Sequence, residues 1–245
     1  MFAKKNLYWP LVILFIVSAP VFAQNNSSNP SELLIEKFKT HTELRSFWAT
    51  LSAYYEIPIG FQEELNSKEE VDLSFEGGRL SKFLDKFVSE NPTYTWALEN
   101  EVIKIRPAEK YSDAVLSRIL KTEISQFEID GNADCWKTTE RLLELTEAKK
   151  VIDAYGLKPY GSELGGFYIQ QLGGGVKLNL SQVSFERILD SIVSQSPLAK
   201  LWTLRRFPAK KILHLEIIAR QTESWRVVEP SVKFQNLVNF LADEP

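Results

Sequence analysis

The sequence predicts an α+β fold of two small modules. Each is a mixed sheet with two helices packed on one face, in a βαββαββ-like order. Three observations lead there. Residues 71–92 and 176–197 align without a gap, and seven of the 22 positions are identical. Within each copy, apolar residues alternate and then switch to helical spacing. Each copy is also flanked by further strand-like and helix-like segments in the same order.

The alternation of Val71, Leu73 and Phe75, matched by Val176, Leu178 and Leu180, predicts a strand with one buried face. Leu80, Phe83, Leu84, Phe87 and Val88 follow, matched by Phe185, Ile188, Leu189, Ile192 and Val193. That spacing lays an apolar stripe along one helix face. Ser184 is the expected N-cap of the second copy, whereas Arg79 after Gly77-Gly78 gives the first a poorly marked start. Pro92 and Pro197 end both helices. Two strands close each copy, around Trp96 with Val102–Ile105, and around Trp202 with Ile212–Ile217.

Upstream, Leu34–Phe38 is expected as a strand and Thr40 with Glu43 as the capping box of a helix through Leu51. The second copy has a strand at Phe127–Ile129 and a helix from Asp134 to Thr146, with Trp136 and Leu143 apolar but a less clearly amphipathic pattern. About 13 extra residues around Gly161–Gly175 form an insertion between elements, where a repeated fold tolerates one. The organisation expected is a first module over 33–108, a linker helix over 109–123 and a second module over 124–220. A tail over 221–245 carries a helix at 231–242.

Lys4 and Lys5, the apolar run Leu11–Val17 and the small residues Val21 and Ala23 predict a secretory signal over 1–23, cleaved before Gln24. Its core is shorter than the roughly 20 apolar residues that span a bilayer. A polar leader covers 24–32. Losing the two signal lysines leaves 27 basic against 32 acidic residues, net −5, with no basic run. Nucleic acid is therefore not an expected partner, and no stable membrane span remains after the signal is removed. Cys135 is the single cysteine, so no internal disulfide can form; it is expected to be buried.

The order of elements resembles the short N-terminal domain of bacterial secretins and TonB-dependent outer-membrane receptors. The resemblance rests on Ile35–Leu51, the Ile57–Phe61 strand, the Val71–Leu80 segment, Trp96 and the closing Val102–Pro107. It covers 33–107 well and 124–218 more loosely. It implies a periplasmic module that binds other envelope proteins and has no catalytic residues to transfer. The chain has neither an outer-membrane barrel nor a secretin pore domain, so insertion into the outer membrane is not implied.

Catalytic, cofactor and metal chemistry finds little support in the residues. His41 and His214 are the only histidines, and neither has ligand-like companion spacing. No Gly-Lys-Ser/Thr follows Gly165-Gly166 or Gly173–Gly175, so turns explain those glycines better than a phosphate cradle. Glu99 and Glu101 flank a hairpin tip. The expected partner contact is a basic loop carrying Arg205, Arg206, Lys210 and Lys211. Two other readings stay open: an extracytoplasmic enzyme, and a small-ligand or glycan binder, each with a site between the modules.

Overall fold

The computed structural model of the chain describes residues 29–65, 70–131, 133–160, 172 and 176–219. The expected signal, most of the leader, the glycine-rich insertion and the tail helix lie outside the described residues. Within them the α+β class is seen.

The first half opens with β1 (Leu34–Ile35) and β2 (Phe38–Glu43). Phe38, Thr40 and Thr42 face inward on alternate residues of β2. This corrects the expected capping box at Thr40 and Glu43. The helix α1 (Leu44–Tyr55) starts one residue beyond Glu43, which makes no side-chain cap bond. The backbone groups of Thr40–Glu43 pair instead with β4 (Glu70–Phe75) in an antiparallel ladder that runs from Phe38 opposite Phe75 to Glu43 opposite Glu70. Six ladder residues satisfy more backbone than one cap could. Between α1 and β4 lies β3 (Ile59–Gln62).

After β5 (Gly78–Arg79), which pairs with β1, comes α2 (Leu80–Glu90). The turn before it needs glycine, since Gly77 and Gly78 have φ of +89° and +133°. The hairpin β6 (Tyr94–Glu99) and β7 (Val102–Pro107) completes this half. Its core is rich in aromatic rings, with Phe47 and Trp48 of α1 and Phe83 and Phe87 of α2 packed between β2–β4 on one side and β3–β7 on the other.

A short helix α3 (Ala114–Leu120), capped by Asp113, links the halves. The second half holds β8 (Glu123–Gly131), α4 (Cys135–Leu143), α5 (Thr146–Ala154), β9 (Lys158–Tyr160), β10 (Val176–Ser184), α6 (Phe185–Gln195), β11 (Ala199–Phe207) and β12 (Ile212–Ala219). The helix expected from Asp134 to Thr146 is two helices. Leu145 is extended, with φ −56° and ψ 133°. Six residues along a continuous helix, Ala148 would lie about 240° round from Leu142. The break lets both reach the same core. Trp136 of α4 is 45% exposed.

The repeat is seen in the order of the elements, with β8 standing where β1 and β2 do and α4 with α5 where α1 does. α2 and α6 share length and register, and each has its first N–H bonded to the carbonyl just before the strand that pairs with its lead-in segment: Leu80 to Leu33, before β1, and Phe185 to Thr122, before β8, both at 2.8 Å. Ser184 caps α6 as expected, accepting from the Arg187 N–H. The sequence did not disclose that the two mixed sheets join. One six-stranded sheet runs β6-β7-β3-β11-β12-β9, and β3 pairs in parallel with β11 across the seam. The equivalent strands β6 and β11 run in opposite directions, so a half-turn about an axis across the strands relates the modules. Their helices therefore lie on opposite faces: Ile103, Ile105 and Leu201 face α1 and α2, while Val102, Trp202 and Leu204 face the second module. The ribbons β2–β4 and β8–β10 cover the outer sides of the two helical layers.

Leu84 and Leu189 are equivalent and fully buried, one in each core. Each Leu→Ala change should cost about 2–5 kcal/mol, read as a lowered midpoint in chemical denaturation. An unmoved midpoint for either would contradict the equivalence.

Candidate partner interface

The expected basic loop is strand over its first three residues and turn over the remaining four. Arg205 and Arg206 belong to β11, opposite His214 and Leu213, and only Pro208–Lys211 forms the hairpin turn. Both arginines have internal partners. The Arg206 Nε donates to Asp113 at 2.6 Å, fastening the linker helix α3, whose cap is the same carboxylate. Arg205 donates to His214 Nδ1 at 3.2 Å, lies 3.5 Å from Glu63 and stacks over the Phe207 ring. Lys210 and Lys211 remain exposed at the tip. The four residues therefore do not form one outward-facing cationic surface.

The seam between modules holds a cluster of buried polar contacts. On one face, Lys104 of β7 is 1% exposed and reaches Asp190 and Glu186 of α6, the latter at 3.2 Å. Its ammonium also lies 4.8 Å from the Trp202 ring centre. The Trp202 indole N–H donates to the same Asp190 at 3.0 Å. Burial raises the pKa of Asp190, while Lys104 and the indole N–H oppose that shift. Beside Lys104, Arg106 bridges Glu99 and Glu186, and its hydrogen bond holds the Glu99 carboxyl below the usual carboxylate range. The Trp202 indole lies flat against β3 at Gly60, where an added Cβ would come within 2.5 Å of the ring.

On the opposite face, Arg45 of α1 donates to the buried Glu216 of β12 at 2.7 Å. His214 lies beside them, buried; desolvation dominates and, with Arg205 and Arg45 nearby, pushes its pKa down to about 4 despite Glu216.

The two ends of the sheet differ. At one end, the Lys158 N–H of β9 donates to the Lys211 carbonyl, so by strand alternation Pro159 faces outward. That position has no donor, and the exposed Lys158 stands beside it. Proline and lysine are the usual guards of an edge. At the other end, the Ala108 N–H donates to the Thr93 carbonyl. This fixes the hydrogen-bonding phase of β6 and turns the N–H and C=O of Trp96 and Leu98 away from β7. β6 contains no proline, lysine or bulge, and Leu98 is 36% exposed. The expected outer strands were Leu34–Phe38 or the hairpin strand ending at Ile105. The latter is β7, which is interior: the Ile103 N–H donates to the Pro58 carbonyl. The outer strand of the hairpin is β6.

No protein-family model, curated protein or solved structure matches the chain.

The groups considered for chemistry are held apart. Cys135 is buried at the start of α4, and burial pushes its thiol up to about 12, far from the range of a reactive thiolate. His41, expected at a helix start, lies on the exposed face of β2. Its two ring nitrogens are 2.9 Å from Glu70 and 3.1 Å from Asp72, whose hydrogen bonds raise its pKa. Among the described residues, no group of three or more His, Cys, Asp or Glu is placed to hold a metal ion. No described helix is long and apolar enough to cross a membrane.

Two outcomes follow from the seam. Gly60→Ala should lower stability by about 1–3 kcal/mol through overpacking against Trp202, measured by denaturant titration; no loss would mean that the seam is open. The depressed pKa of His214 stabilises the fold above its ordinary value of 6.5, and this is lost as pH falls towards about 4. His214→Asn should flatten the stability profile between those values, and an unchanged slope would exclude His214 as its source.

Proposed function

We propose that the chain is an exported, periplasmic protein that binds another envelope protein. Its modules resemble the short N-terminal domain of secretins and TonB-dependent receptors. The signal over 1–23 is removed before Gln24, and the protein acts by contact and carries out no catalysis. The observation that carries this reading is the asymmetry of the six-stranded sheet. Its β9 end is guarded by Pro159, while its β6 end presents unguarded backbone groups at Trp96 and Leu98. An unguarded edge strand is a template for an added strand from another chain.

Leu98→Pro removes an outward donor and leaves the β7 ladder in place. Captured with the mature protein from envelope extracts, the partner should fall at least tenfold with this variant while the fold persists. Capture that survives Leu98→Pro but is lost in Lys210→Glu/Lys211→Glu would move the contact to the hairpin tip. N-terminal sequencing of the natural protein should begin at Gln24; retention of Met1 would contradict export by cleavage.

A further inference from the structure

The seam within the molecule offers a template for the β6 edge. The modules are equivalent, so the β6 edge of the first corresponds to the β11 edge of the second. β11 is occupied by β3 in parallel, with Gly60 beneath Trp202 and Lys104 of the next strand reaching Asp190. The same pair of recognition groups is present in the first module. The Trp96 indole N–H donates to Asp85 at 2.9 Å, as Trp202 does to Asp190 at 3.0 Å. There, however, the carboxylate is exposed and β6 has a strand on one side only among the described residues.

We propose that β6 receives, in parallel, the edge strand of a different folded protein, with a glycine facing Trp96 and a lysine or arginine on the next strand reaching Asp85. This rests on the reading of β6 as the contact edge. A second copy of the chain does not fit. Repeating the internal operation would bring β9 to β6, and its outward position is Pro159. The residue equivalent to Lys104 is Glu216: Lys104 lies opposite Ala97, one residue from Trp96, and Glu216 lies opposite Thr203, one residue from Trp202. A second copy would set that carboxylate, already held by Arg45, against Asp85. The required charge is positive.

The probe is a synthetic peptide of residues 56–64, the strand that β11 already binds. It would be titrated into the full mature protein carrying 15N-labelled tryptophan. The Trp96 indole signal should shift with the peptide. It should not shift with a peptide whose glycine is replaced by leucine, nor in the Leu98→Pro protein. An indole unmoved at millimolar peptide, or moved equally by the leucine peptide, overturns the proposal. So does a Trp96 signal that moves with protein concentration alone, which would make a second copy the occupant. The charge is tested by photo-crosslinking from position 98 in envelope extracts, where Asp85→Lys should cut the yield at least tenfold and an unchanged yield contradicts it. Failure of the two readings can be told apart. Capture lost in Leu98→Pro without a peptide shift keeps the edge and rejects the template; peptide binding with capture unaffected rejects the edge as the natural contact.

Discussion

A lysine ammonium almost wholly removed from water lies between two helical carboxylates and the face of an indole, and at that point the two halves of the chain meet. Lys104 comes from the first module; Glu186, Asp190 and Trp202 come from the second. A buried charge is tolerated only where it is paired and hydrogen-bonded, so the arrangement fixes the position of α6 over β7 and β3. The indole fixes the strand pairing, because it occupies the space that any side chain larger than hydrogen at Gly60 would need. Arg45 and Glu216 make a corresponding cross-module pair on the other face of the sheet. Two ionic contacts on opposite faces resist twisting of one module about the other.

This joint has consequences for the surface. Within the main sheet, the two modules apart would each expose two strand edges, four in all. Joining them through β3 and β11 removes two, Pro159 guards a third, and β6 remains. Among the described residues the six-stranded sheet is thus left with one unguarded end, which gives that sheet a direction.

Much of the fold was legible in the sequence. The strand–helix segments at 71–92 and 176–197 carry strong period-two and helical patterns, and the structure places them at equal register. The errors have specific causes. At Thr40–Glu43, the spacing of Thr40 and Glu43 looks like a capping box, but Thr40 faces the core from a strand; the distant partner β4 decided the matter. The break at Leu145 is set by the need to point Leu142 and Ala148 at one core. The basic residues at 205–211 looked like a solvated loop because charged residues rarely suggest a strand, yet Arg206 is held by a carboxylate 93 residues away. The seam itself was beyond reach of pattern reading. Lys104 and Asp190 are ordinary surface residues by type, and nothing local marks them as partners. The one trace of the Asp190 site was the recurrence of Asp85 and Trp96 as Asp190 and Trp202, at offsets that differ by one residue, a pairing that makes sense only once the indole–carboxylate bond is seen twice.

A double-mutant cycle on Lys104 and Asp190 tests the joint most directly. Unfolding free energies would be measured by denaturant titration for Lys104→Ala, Asp190→Ala and the double variant. Each single change should cost about 3–5 kcal/mol by leaving a buried charge without its partner. The double variant should cost less than the sum, with a coupling of about 0.5–3 kcal/mol, and the whole chain should unfold in one transition. Costs that add within about 0.5 kcal/mol, or modules that unfold separately in the unaltered protein, would contradict a sheet held together at this seam.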